Sequence, residues 1–406
     1  MKFSVLLPTR NRLDLLEYAI ESVRGQNYQD WEIVISDNFS DQDVEGYVRS
    51  LGEGRIRYFR TDRFLPVTEN WNRALEKSSG DYVVMLGDDD ALEKGYFETM
   101  SLLVEKYDHP DFIYHKALLY AYPGVLPGFP EGSLRESACA PFFAGATEPF
   151  FLRPREAVEL VRKSMSFKVR LDYNMQYSLM KKSFIDSLRE RGDFFQSPYP
   201  DYYATNVMFL KGRRILVCPW ALVTIGISPK SFGYYYFNKK EAEGTEFLKN
   251  LPDGGLAEKM QGVIMPGTNM NTSWLLAMET IRANYGEEFH LRVNYGRYRF
   301  LQIQNIYAFH YRTGQSTKQE FVSAKRQMTV PEKLFLAPFF FMAMNFLKFF
   351  PSCKDYKVVN RMIELLGPYG HSDTKTCGGS YKNILEVFHR AERENLPGRV
   401  RTACPP

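Results

Sequence analysis

Gly80-Asp81-Tyr82-Val83-Val84-Met85-Leu86-Gly87-Asp88-Asp89-Asp90 is the stretch on which the reading of this chain turns. Five apolar or aromatic residues run unbroken from Tyr82 to Leu86, and after one glycine three carboxylates follow. An uninterrupted apolar run of this length fits a strand buried on both faces. Three adjacent acids at its carboxyl end repel one another, and a cation placed there would make them tolerable. Hard divalent ions take oxygens from one or two carboxylates and fill the rest of their shell with phosphates and water. In open α/β sheets, ligands bind at the carboxyl ends of strands. The stretch alone therefore leaves two readings of Asp88, Asp89 and Asp90. One is a metal–diphosphate site; the other is a solvated acidic turn capping a helix that starts at Ala91-Leu92-Glu93.

Upstream, short apolar runs alternate with helical spacing. Residues 3–7 read as a strand ending in Pro8-Thr9-Arg10-Asn11-Arg12, and Leu15, Leu16, Ala19, Ile20 and Val23 mark a helix over 13–26. A second strand over 31–35 closes with Ser36-Asp37-Asn38, a third covers 56–59, and a helix carries Asn70, Trp71, Ala74 and Leu75. This alternation implies βαβ units and a largely parallel sheet, with the strand carboxyl ends on one edge. Thr9, Arg10, Asn11, Asp37 and Asp88 to Asp90 all fall on that edge. Neither G-x-G-x-x-G after the first strand nor a P-loop sequence is present, which argues against dehydrogenases and P-loop enzymes.

The ordered set Ser4-Val5-Leu6-Leu7-Pro8-Thr9-Arg10-Asn11-Arg12, Ser22-Val23-Arg24-Gly25-Gln26, Glu32 to Asp41, Asn70 to Ala74, Gly80 to Tyr82 and Leu86 to Asp90 resembles the family 2 glycosyltransferases of GT-A fold, bacterial and nucleotide-sugar dependent. The resemblance covers about the first hundred residues. It implies an α/β fold, Rossmann-like, with a mostly parallel mixed sheet flanked by helices. It also implies roles. Asp37 would accept a hydrogen bond from the nucleobase imide; Pro8, Thr9, Arg10 and Asn11 would contact base and phosphate; Asp88 and Asp89 would hold the nucleotide, Asp88 in the variable place of the motif. Asp90 would bind Mn²⁺ or Mg²⁺. The family's general base is an acid opening a helix after the sheet, and Asp201 in Tyr199-Pro200-Asp201-Tyr202-Tyr203 fits that pattern, with Asp172 and Asp193 as weaker candidates. Many members place a metal-binding histidine near residue 230. This chain has none there, so either Asp90 and phosphates suffice or Lys230 adds positive charge to the leaving diphosphate.

Composition agrees with a soluble, folded, two-domain chain: 406 residues, 44% hydrophobic, 25% charged and a net charge of +4, which is too small to argue for nucleic acid. Five cysteines without a C-x-x-C pair fit a reducing compartment. The amino terminus enters a strand directly, so no signal peptide is expected, and the location expected is cytoplasmic, open to the inner membrane face.

Downstream the motifs thin out. A fifth strand is expected over 111–114, an irregular acceptor-facing stretch over 115–154, a strand pair within 167–182, a strand over 220–227 and a loop over 228–233. A mostly helical carboxyl-terminal extension follows, including a helix over 356–366. The domains expected are 1–250, nucleotide-sugar binding and catalytic, and 251–406, helical. The apolar stretch 334–350 is left open between core, partner contact and membrane surface.

The combined expectation is an inverting glycosyltransferase that moves a sugar from a nucleotide diphosphate, UDP first, to a hydroxyl of a glycan or lipid-linked glycan, in polysaccharide or glycoconjugate synthesis. Peripheral membrane contact and a homodimer stay open. A catalytically silent nucleotide-sugar-binding scaffold and a sugar-nucleotide nucleotidyltransferase are the alternatives; the latter needs a Gly-rich loop that residues 8–12 lack.

Overall fold

A computed structural model describes residues 1–137, 139–168, 170–238, 240, 243–244, 254–314, 316–350, 366–367, 376–377, 381 and 383–387. Two compact units are present. One holds residues 1–159 and 171–251 with the described residues beyond 372; the other holds residues 160–170 and the described residues of 252–371.

In the first unit, strands β1 (Phe3–Thr9), β2 (Trp31–Asp37), β3 (Ile56–Arg60) and β4 (Tyr82–Met85) lie in the order β3-β2-β1-β4, all parallel. Helices α1 (Leu13–Arg24), α2 (Val44–Ser50) and α3 (Val67–Lys77) connect them. α1 buries Leu16, Ala19, Ile20 and Val23, spaced three and four apart as one helical face requires. β5 (Ala91–Leu92), α4 (Tyr96–Lys106), β6 (Phe112–Ala121), β7 (Ser133–Ser137), β8 (Phe150–Leu152) and α5 (Pro154–Ser164) follow. The chain continues through β9 (Ser178–Lys181), α6 (Lys182–Leu188), α7 (Pro200–Lys211), β10 (Ile215–Ile227) and α8 (Phe232–Phe237). β9 pairs antiparallel with both β4 and β6, so it joins the parallel half to the rest of the sheet. β10 runs parallel to β6 and antiparallel to β5 and β8. This is the mixed, helix-flanked α/β sheet the sequence implies.

The stretch 115–154, expected to be irregular, is so only in part among the described residues: strands occupy 115–121, 133–137 and 150–152, and turns and loops lie between them. β6 continues to Ala121 because Ala117, Leu118, Tyr120 and Ala121 are buried beside β10, and β7 and β8 extend the sheet. Of the expected strand pair within 167–182, only β9 is a strand among the described residues. Beyond residue 372, β11 (Thr376–Cys377) pairs with β7, and Tyr381, Ile384 and Val387 pack with Tyr120 and Leu134.

The amino-terminal edge of the sheet is tied by Glu32, which accepts hydrogen bonds from Ser4 Oγ at 2.7 Å, the Ser79 amide at 2.6 Å, Lys2 Nζ at 3.0 Å and Arg57 at 3.2 Å. These bonds outweigh burial and hold its carboxyl down at about 2. Gly80 is needed there, since a Cβ would come within 2.7 Å of the Ser4 amide nitrogen. Ser22 and Gln26 explain their place in the motif set. Ser22 Oγ accepts the Leu92 N–H, while Gln26 accepts from Tyr96 N–H and donates to the Glu93 carbonyl, so α1 fixes the chain just after the acidic triplet.

The second unit is helical among its described residues: α9 (Gly254–Lys259), α10 (Asn269–Phe289), α11 (Tyr295–Tyr307), α12 (Lys318–Arg326) and α13 (Ala337–Phe349). Asn345 lies inside α13, its side chain donating to the Phe341 carbonyl. The helix expected over 356–366 lies outside the described residues except for Leu366. No described helix is long and apolar enough to cross a membrane.

Candidate active site

The acidic triplet follows β4 at the carboxyl edge of the parallel strands, and all three acids are buried. Asp88 accepts from Thr9 Oγ1 at 2.8 Å and from Arg12 Nη1 at 2.7 Å. Asp89 accepts from Ser228 Oγ at 2.6 Å and lies 3.7 Å from Arg12. Asp90 accepts from the Gly87 and Gly226 amides at 2.7 and 2.9 Å and from Gln176 Nε2 at 2.5 Å. Gly226 is obligatory because β10 passes so close that a Cβ would sit 1.9 Å from the Asp89 carbonyl oxygen.

Charge here is only partly compensated. Burial, then the neighbouring Asp89, pushes Asp90 up to about 8 despite its three N–H donors. Burial likewise raises Asp88, against the pull of Arg12. Arg12 stays charged because the three carboxylates outweigh the cost of its burial. The acidic stretch holds no cation of its own, and Arg12, in the quoted loop after β1 but not singled out, supplies the charged partner. Lys230 crosses the same place. Its Nζ donates to the Asn11 carbonyl, and Arg12 Nη2 donates to the Lys230 carbonyl, so the loops after β1 and β10 are fastened to each other.

Asp37 ends β2 beside Thr9 in register. Its oxygens accept from the Ser40 amide at 2.9 Å and Tyr58 Oη at 2.6 Å. Arg60 approaches within 4.0 Å and lies over the Phe39 ring, and Arg10 stacks 3.8 Å above the Phe64 ring. Pro8 is within β1, and Asn11 holds a left-handed φ of 54°, as does Phe39 at 60°. For a non-glycine residue that backbone is sparsely populated, and here it bends both loops at adjacent strand ends.

Asp201 stands in the first turn of α7, behind Pro200 at a helix start that suits proline. Burial pushes its carboxyl up to about 7, against its own and the Tyr202 backbone N–H. α7 is linked toward the triplet: Thr205 Oγ1 donates to the Tyr173 carbonyl, Tyr202 packs on Tyr173 at 4.5 Å, and Gln176 of the same segment reaches Asp90. Asp172 is occupied elsewhere, by Ser137 Oγ and the Cys139 amide, and Asp193 is exposed beside Arg189.

Four contacts to the triplet were not singled out from sequence: Arg12, Gln176, Ser228 and the Gly226 amide. Tyr122 is a further neighbour. Its hydroxyl is buried without a hydrogen-bond partner among the described residues, and after burial the charges of Asp89 and Asp90 raise its pKa.

Among the described residues no group of three or more His, Cys, Asp or Glu is arranged to hold a metal ion. The donor set still fits a divalent ion that arrives with phosphate: hard carboxylate oxygens, negative charge in excess of Arg12, and an unpartnered hydroxyl alongside.

Residues 4–124 match the family described as Glycosyl transferase family 2. Over 102 residues the chain is 39% identical to the GalNAc(5)-diNAcBac-PP-undecaprenol beta-1,3-glucosyltransferase of Campylobacter jejuni, covering 24% of this chain and 33% of that protein. It is 28% identical over 135 residues to the putative colanic acid biosynthesis glycosyl transferase WcaA of Escherichia coli, covering 32% of this chain and 48% of that one. The matched part thus spans between a third and a half of these curated relatives. A crystal structure of S. aureus TarS 1–349 in complex with UDP-GlcNAc is similar with a TM-score of 0.44 and 15% identity, over 76% of this chain and 88% of that one. Residues 4–124 are thus similar in sequence to the family 2 glycosyltransferases.

Proposed function

We propose that the chain is an inverting glycosyltransferase that takes a sugar from a nucleotide diphosphate donor, a UDP-sugar first, and passes it to a hydroxyl of a glycan or lipid-linked glycan in polysaccharide or glycoconjugate synthesis. The observation that carries the proposal is the convergence of buried Asp37, Thr9 and Asp88 to Asp90 at one sheet edge, with an acid of pKa about 7 opening α7. The relative from Campylobacter, whose name describes an undecaprenol-linked substrate, supports a lipid-linked acceptor.

In this reading residues 1–250 form most of the catalytic domain, the described residues beyond 372 belong with it rather than with the expected 251–406 extension, and the described residues of 252–371 form the helical part. Asp37 accepts the imide N–H of uracil, and Pro8, Thr9, Arg10, Asn11, Asp88 and Asp89 surround the nucleotide. Arg12 and Lys230 face the diphosphate, with the Tyr122 hydroxyl as a spare donor. Asp90 would hold Mn²⁺ or Mg²⁺, whose chemistry there is to neutralise the leaving diphosphate. Asp201 takes the acceptor proton, its pKa near the working pH as a general base requires.

Calorimetry with UDP, GDP and CDP, in Mn²⁺ and in EDTA, tests the donor half. UDP should bind most tightly, and more tightly with Mn²⁺. Asp90→Ala should erase the metal effect, and Asp37→Ala the preference over CDP. Equal affinity with and without metal removes the ion from the proposal, and CDP binding indifferent to Asp37→Ala removes the base assignment. A silent donor-binding protein is the second reading, because Arg12 already compensates Asp88. Slow hydrolysis of a bound UDP-sugar would separate the two.

A further inference from the structure

The segment from Val330 to Phe350 turns large apolar side chains outward. Phe335 is 73% exposed, Met342 63%, Phe346 48% and Phe349 70%, with Val330, Leu334, Phe341 and Phe350 exposed beside them. α13 buries Ala337, Phe340 and Met344 on its inner face. Phe335, just before the helix, and Phe339, Met342, Phe346 and Phe349 on its outer face, where a helix of a soluble protein carries charge, follow one another at alternating steps of four and three. Isolated exposed apolar residues need no explanation, but a continuous stripe does.

The surrounding charge is one-sided. From residue 310 to 350 there are six basic residues, Arg312, Lys318, Lys325, Arg326, Lys333 and Lys348, against Glu320 and Glu332. Glu332 is already paired with Arg299 at 2.7 Å. Lys333 and Lys348 stand at the two ends of the stripe, and no acid lies between them. A helix of 13 residues is about 20 Å long, too short for a hydrocarbon core of about 30 Å. A second copy suits the stripe poorly, since antiparallel two-fold pairing would bring Lys333 of one chain against Lys348 of the other.

We propose that residues 330–350 dock the chain on an anionic lipid surface, the helix lying in its plane. The phenylalanine stripe enters the boundary between headgroups and acyl chains, and Lys333 and Lys348 meet lipid phosphates. The proposal stands on this segment alone and does not depend on the donor chemistry.

The test is co-sedimentation of the full chain with phosphatidylcholine vesicles and with vesicles in which a third of the lipid is phosphatidylglycerol. The wild type should bind the anionic vesicles more tightly, and less so as salt rises. The combined variant Phe335→Ser, Phe346→Ser, Phe349→Ser should lose about tenfold or more in partitioning. Its melting temperature should match or exceed that of the wild type, since the replaced rings contact solvent. Lys333→Gln with Lys348→Gln should abolish the preference for anionic lipid. Failure of the wild type to bind either vesicle, or equal binding by the serine variant, overturns the proposal. So does a wild-type dimer that the serine variant converts to monomer, which would give the stripe to a second copy. UDP binding measured on the same preparations keeps this outcome separate from that of the donor reading.

Discussion

Arg12 Nη1 lies 2.7 Å from Asp88 Oδ1, a buried ion pair linking the loop after β1 to the acidic turn after β4. Both partners are largely withdrawn from water, so the pair is a poor source of stability but costly to break.

Arg12→Gln should therefore lower the unfolding free energy by about 3–5 kcal/mol, because it leaves Asp88 buried beside Asp89 without a cation. Mn²⁺ should raise the melting temperature of the variant more than that of the wild type, replacing the lost charge. A variant that melts with the wild type would mean that the triplet is neutralised by other means.

With Asp201 as the proposed base, its carboxyl sets the expected pH dependence of turnover. Its carboxyl, at about 7, must lose its proton to act as a base, so turnover should rise along a limb centred near that value. Asp201→Asn should abolish the limb and lower turnover by about 10²- to 10⁴-fold while UDP affinity holds. Stability moves the other way. The folded protein binds this proton more firmly than the unfolded chain, so stability falls as pH rises from 3.8 to about 7, and Asp201→Asn should remove that part of the fall. Wild-type turnover by the variant would shift the search for a base away from α7.

Glu32 offers a stability effect without a catalytic one. Glu32→Ala removes charge-assisted bonds from Lys2, Arg57, Ser4 and Ser79 and should cost about 3 kcal/mol. Its depressed folded pKa makes the contribution complete above 4.5 and lost as pH falls through about 2. Urea unfolding at pH 7 and pH 3 checks both, and UDP affinity should not change. A variant with wild-type midpoints at pH 7 would contradict the assignment.

The parallel half of the sheet was legible because β2 and β4 are buried throughout and β1 nearly so, and because its helices repeat at three and four, a pattern written locally. The acids at strand ends were legible for the same reason: a polar residue ending an apolar run marks an edge. The continuation of β6 beyond Tyr114 was missed because Lys116 breaks the run, although its ammonium is paired with Glu136 and its neighbours stay buried. Arg12 was in view but carried no local sign of its partner, which is 76 residues away. Gln176 and Gly226 reach Asp90 through antiparallel crossings of the sheet that no single stretch encodes.

Those crossings also bear on how the chain matures. Asp90 waits 86 residues for Gln176 and 136 for Gly226, and Asp89 waits 139 for Ser228. At about 5–20 residues per second, a ribosome takes on the order of ten seconds to deliver them. During that interval the nascent triplet has only the upstream Thr9 and Arg12 as side-chain partners, while β4 presents the edge that β9 will occupy. The family-matched segment is thus synthesised well before the pocket it names can close, and the interval is one in which an incomplete sheet invites mispairing. Fragments that stop short of Ser228 should emerge aggregation-prone and without UDP affinity.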